Sequence, residues 1–157
     1  SVPPSLWRRG GRAVKRPLIT LVLVALTAAL LVGCGGPSAD LYVLQRSGSI
    51  PGAKLTMIVG DGGTVRCNGG KEFEISSAQL IDARAIVDDL NGDDKQPGPA
   101  RKTVNLKPGK YAILRYNVRT EFGTVAFSDS SRGQPPVFFK LATLTRDLAK
   151  HVCGLPR

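Results

Sequence analysis

The chain has one histidine, one methionine and one tryptophan in 157 residues. Any catalytic arrangement built on imidazole must therefore use His151, which leaves a Ser-His-Asp or Cys-His pairing a single candidate. No His-Glu-x-x-His, no Cys-x-x-Cys and no phosphate-cradling glycine loop occurs in the sequence. Gly60-Asp61-Gly62-Gly63 has too little around it for a nucleotide fingerprint and reads as a hairpin turn. His151 stands two residues before Cys153 at a predicted helix end, where a charged imidazole favours the helix dipole and needs no catalytic explanation. The reading is of a non-enzyme that uses no cofactor.

Acidic residues are also scarce, 12 against 22 Lys and Arg, for a net charge of +10. Such a surplus ordinarily points to nucleic acid. Here Arg8, Arg9, Arg12, Lys15 and Arg16 lie before Cys34, where there are no acids, so the chain beyond holds 17 basic and 12 acidic side chains. Those cations are spread out and have no aromatic residues interleaved, which argues against a nucleic-acid partner. A mildly basic surface suits attraction to anionic headgroups or cell-wall polymers.

The acids that are present form one metal-like pattern. Asp89, Asn91 and Asp93 match the alternating oxygen ligands that open a calcium loop, but Asp94 replaces the required glycine and Ala100 the bidentate glutamate. The expectation is a solvated loop that ends a helix, with no metal. Glu72 and Glu74 share a face if strand-borne, yet nothing else suggests paired-carboxylate sugar chemistry.

Long apolar runs are limited to Leu18 to Val32, which follows the cationic cluster. At 15 residues it is shorter than the roughly 20 a membrane-crossing helix needs. A cationic start, an apolar centre and Leu31-Val32-Gly33-Cys34 together resemble a bacterial lipoprotein signal with its lipobox. The resemblance implies a signal peptide over 1–33, a lipid on Cys34 as the mature N-terminus, a tether over 34–39 and a domain over 40–157. The expected location is the extracytoplasmic face of the cell membrane, with the membrane as partner through Cys34. An ordinary cleaved signal or a short uncleaved anchor is the alternative.

With Cys34 assigned to lipid, Cys67 and Cys153 remain as an even pair in an exported domain, where disulfides persist. A bridge between them is the preferred reading, and two free thiols, one beside His151, the alternative.

Residues 40–157 suffice for one domain. Leu41 to Arg46 reads as a strand. Lys54 to Val59 and Thr64 to Cys67 flank the glycine turn as a hairpin, and Glu72 to Ile75 extends a strand or leads into a helix. Ser77 is the expected N-cap for Ala78 to Leu90, with Leu80, Ala83, Val87 and Leu90 on one face and Gly92 as the stop. Asp93 to Pro99 reads as a mobile polar loop. Lys102 to Leu106 is expected as a strand, followed by the Pro108-Gly109 turn and a strand from Tyr111 to Thr120. Glu121-Phe122-Gly123 connects it to a returning strand, Thr124 to Ser128. The last helix starts near Pro136, with Val137, Leu141, Leu144, Leu148 and Val152 as its stripe. The predicted fold is a single α+β domain in strands-helix-strands-helix order, its two helices packed on one face of a mostly antiparallel sheet.

This order, with Arg46-Ser47-Gly48, Gly52, Leu55-Thr56, the helix Ser77 to Leu90, the hairpin Tyr111 to Phe127 and the helix Val137 to Leu148, resembles emfourin. That family comprises small protein inhibitors of thermolysin-like zinc peptidases. The resemblance implies a non-catalytic binding module whose partner is an extracellular zinc metallopeptidase. Arg46, Ser47, Gly48, Ile50 and Phe122 are the candidate contact residues; the alternative is ordinary edge-of-core packing for Ile50 and Phe122, and a strand end and turn that fix the loop for Arg46, Ser47 and Gly48. The lipobox, the cysteine pair and Ser49-Ile50 depart from the family pattern and point to a different target peptidase. A structural or adhesive envelope lipoprotein is the alternative function.

Overall fold

The computed structural model describes residues 39–155. The signal segment, Cys34 and the tether as far as Ser38 lie outside the described residues. Six strands, β1 (Asp40–Gly48), β2 (Leu55–Gly60), β3 (Thr64–Cys67), β4 (Glu72–Glu74), β5 (Leu114–Arg119) and β6 (Thr124–Ser128), form one antiparallel sheet. Their spatial order is β4-β3-β2-β1-β5-β6, so β1 is central. Two helices, α1 (Ser77–Asn91) and α2 (Pro136–Asp147), complete the single α+β domain in the predicted order.

Alternation along the strands decides which face is covered. Tyr42, Leu44 and Arg46 of β1 are buried, as are Leu55, Met57 and Val59 of β2. Val65, Tyr116, Val118, Val125 and Phe127 continue this inner face on the neighbouring strands. Against it pack Ala83, Ile86 and Leu90 of α1 and Val137, Phe138, Leu141 and Leu144 of α2. Phe127 lies between Tyr116 and Phe138, with ring centroids at 4.9 and 4.3 Å and both pairs stacked. The intervening residues Gln45, Arg115 and Asn117 are exposed on a face that carries no helix.

Four local expectations are corrected. The N-cap of α1 is Ser76, whose hydroxyl accepts from Gln79 N at 3.2 Å while its own N–H donates to Gln79 Oε1 at 2.9 Å, a reciprocal capping box. Ser77 is already in the helix. The Lys102 to Leu106 strand is reduced to a single parallel bridge, Asn105 to Ala126, along the free edge of β6. The long strand from Tyr111 starts only at Leu114, because the Ile113 and Leu114 amides donate to the Asp129 carboxylate at 3.1 to 3.3 Å. Beyond Asp147 the last helix widens into a π-helical turn, Leu148–Val152, which keeps Leu148 and Ala149 in the core.

The loop after α1 is fastened, not free. Gly92 caps the helix at φ 59°, Gly98 N donates to Asn91 O at 2.9 Å, and Ala100 N donates to Leu90 O at 2.8 Å. A Cβ on Gly98 would fall 2.4 Å from Leu90 O, so the backbones are in direct contact. The calcium-like side chains are each engaged in this packing. Asp89 pairs with Lys140 of α2 at 3.0 Å, and buried Asn91 accepts from Thr120 Oγ1 at 2.5 Å. Asp93 accepts from the amides of Lys95 and Gln96.

Cys67 and Cys153 form a disulfide with Cα atoms 6.3 Å apart, tying the end of β3 to the residue after the π turn. Their separation of 86 residues makes the loop long enough for about 4 kcal/mol of stabilisation in the chain-entropy picture. Replacing both cysteines by serine is expected to lower unfolding free energy by about that amount, measured by urea titration. A loss below about 1 kcal/mol would show that the bridge is not closing this loop.

The Tyr42 hydroxyl is buried with no hydrogen-bond partner among the described residues, and desolvation pushes its pKa up. Unfolding exposes the phenol to water, where it ionises near its ordinary value of 10.0. The folded state therefore holds this proton more tightly, and its stability, complete below about pH 10, falls as pH rises above that value. Tyr42→Phe should retain neutral-pH stability and remove that part of the alkaline loss. Identical melting profiles of the two proteins from pH 9 to pH 11 would contradict this account.

Candidate functional site

The connection between β1 and β2 is a short, braced loop. Ala53 N donates to Ile50 O at 3.1 Å, closing a turn with Pro51 second and Gly52 third at φ 76°, the residues a type II turn prefers. Arg46, projecting inward from β1, reaches under this turn. Its Nε donates to Ala53 O at 2.9 Å and its Nη2 to Gly52 O at 3.0 Å. Burial lowers the guanidinium pKa and the neighbouring Tyr116 phenol raises it in part. A buried charge is tolerable only with such acceptors around it. Arg46 is 4% exposed and braces the loop from inside, as the strand-end reading of this residue expects.

On the far side the loop is sewn to the start of β5. Ser49 N donates to Ile113 O at 3.1 Å. Gly48 lies so close that a Cβ would fall 2.2 Å from Ile113 O and 3.0 Å from the Ala53 Cβ. Glycine is therefore required at this position by contact. Ser47 and Gly48 are exposed.

Ile50 is half-buried and faces a depression of about 310 Å³ between the sheet end and α2. Leu114, Phe138, Phe139 and Ala142 give it an apolar floor, with Asp129 and Arg146 among its polar lining. Phe139 is 56% exposed and Ile113 46% exposed, so this end of the domain shows apolar side chains around a rigid turn. Sequence periodicity missed Phe139 and Ile113. Phe139 follows the buried Phe138 in α2, and the two cannot occupy one helical face.

Phe122 is elsewhere. In the β1–β5 ladder Gly48 faces Leu114 and Val43 faces Arg119, so the β5–β6 connection lies at the opposite end of the sheet from Ile50. At about 3.3 Å per residue the five steps from Leu114 to Arg119 alone cover about 17 Å. Phe122 is 46% exposed and stacks under the Arg101 guanidinium, 4.0 Å from its ring centroid. The predicted contact residues thus do not form one surface. Ser47, Gly48 and Ile50 belong to one end and Phe122 to the other.

His151 is exposed on the π turn, and its side chain is in no hydrogen bond or ion pair among the described residues. No group of three or more His, Cys, Asp or Glu side chains is placed to hold a metal ion among the described residues. No helix among them is long and apolar enough to cross a membrane. The chain matches no protein-family model, no curated protein and no solved structure.

Gly48→Ala is expected to destabilise the domain by about 2 kcal/mol, because the Ile113 carbonyl must move to admit the methyl group. Amide exchange at Ser49, whose N–H bonds that same carbonyl, should accelerate in step. An unchanged melting temperature and unchanged exchange would refute the close approach.

Proposed function

We propose that this chain is an exported, lipid-anchored, non-catalytic binding protein of the cell envelope that inhibits a thermolysin-like zinc peptidase through the loop Gly48–Ala53. The observation that carries the reading is the braced turn. A loop already fixed by Arg46 and by the Ser49 bond to Ile113 loses little conformational freedom when it enters a cleft, and that lost freedom is a main cost of binding. Ile50, Ile113 and Phe139 supply the apolar anchors that such a cleft would desolvate.

Chain connectivity favours the same end. Five residues lie between Cys34 and Asp40, six steps with a reach of at most about 21 Å, and Asp40 opens β1 at the end opposite Gly48. A lipid on Cys34 would therefore anchor the domain through the strand end that lies opposite the turn. The second reading, an adhesive envelope lipoprotein, draws support from the exposed polar face of the sheet, which offers a second surface beside the loop.

Titrating thermolysin-like peptidases with the domain 40–157 tests the proposal. Stoichiometric loss of activity is expected, with Ile50→Asp weakening inhibition at least about tenfold, equivalent to about 1.4 kcal/mol. Full peptidase activity at micromolar protein, across several such enzymes, would leave the adhesive reading in place of this one.

A further inference from the structure

The helix-free face of the sheet is a surface the peptidase reading leaves largely unused. Strand register places Thr56, Gln45, Asn117, Ala126 and Asn105 in one row across β2, β1, β5, β6 and the bridged edge segment. At about 4.8 Å per strand the row is about 19 Å long. Four of its five side chains are amides or a hydroxyl, and those four are exposed. Ser47 and Arg115 are paired beside this row, and Lys54 lines the same groove, which encloses about 690 Å³. No Asp or Glu is among the lining residues. None of the ion pairs among the described residues uses Lys54 or Arg115, so both charges face the groove without a carboxylate partner.

We infer that this groove binds an acidic polysaccharide. Amides and hydroxyls both donate and accept, as sugar hydroxyls do, and a row of them fits a linear chain of sugars. Lys54 and Arg115 supply charge complementarity to carboxylates spaced along that chain. A nucleic acid would match the charge but would need aromatic rings on which bases stack. The rings of Tyr116 and Phe127, on the two strands beneath the groove, are turned to the other side, stacked together in the core. The inference is independent of the peptidase reading, since it uses the other face of the sheet.

The test is titration of the full chain with polygalacturonate, with dextran as the neutral polymer and single-stranded DNA and polyglutamate as other polyanions, followed calorimetrically at low and high salt. Polygalacturonate is expected to bind, to weaken with salt, and to bind more tightly than all three comparison polymers. Arg115→Glu and Lys54→Glu should each weaken binding at least tenfold, and Gln45→Ala combined with Asn117→Ala at least fivefold at unchanged net charge. Lys150→Glu, on the π turn, should have less than a twofold effect, and circular-dichroism melts verify that each variant is folded. The inference is overturned by DNA or polyglutamate binding as tightly, by Lys150→Glu acting as strongly as Arg115→Glu, by an amide double variant that binds normally, or by no binding at all.

Discussion

Everything in this domain depends on the register of β1. It is the one strand that joins the first hairpin system, β2 to β4, to the second, β5 and β6, through two antiparallel ladders. Because side chains alternate, a slip of one residue would turn Tyr42, Leu44 and Arg46 outward and bring Gln45 and Ser47 into the core. The same register sets both candidate surfaces. Arg46 falls beneath the turn it braces, while its neighbours Gln45 and Ser47 fall on the open face. The core's stake in this register is large, since Tyr42 and Leu44 are both essentially inaccessible to water.

Two reinforcements hold the places where a sheet of this kind is weakest. At the β3 side, where β4 contributes only three residues, the Cys67–Cys153 bridge fastens the sheet to the end of the helical layer. At the loop end, Arg46 substitutes a charged clasp for apolar packing. A buried guanidinium is costly to desolvate, and removing its acceptors would leave that cost uncompensated. The arrangement therefore selects one loop conformation more than it adds stability, which is what a presenting loop requires.

Much of this was legible locally. The alternation Leu114, Tyr116, Val118 and the turn at Gly60 to Gly63 mark strands and a hairpin, and the even cysteine pair marks the bridge. The capping box was also readable, since of Ser76 and Ser77 only Ser76 has a glutamine three positions on. What escaped depends on distant partners. Asp129 delays the start of β5 by taking the Ile113 and Leu114 amides, and Asn105 meets Ala126 in parallel although β5 intervenes in the chain. The π turn was hidden because Leu144, Leu148 and Val152 keep a spacing of four that an α-helix would also accept. The clasp made by Arg46 was not readable because its acceptors lie seven and six residues away, across a turn. The polar row was invisible for the same reason, as Thr56, Gln45, Asn117 and Asn105 become neighbours only once four strand pairings are fixed.

The two candidate surfaces are adjacent by construction. The groove includes Ser47 and Gly48 in its lining, and the braced turn begins at Gly48, so β1 carries one surface into the other within two residues. A polymer lying along the polar row would run beside the loop end of the strands, past the Ser47–Arg115 pair. Lys54 follows Ala53 in the chain and Arg115 follows Leu114, so the groove's two cations adjoin residues of the turn and its depression. Arg46 adds a mechanical link, since its backbone belongs to the strand beneath the groove and its guanidinium to the turn. Under the two proposals, the polar face would take a polysaccharide and the braced turn a protein, on adjoining stretches of one strand.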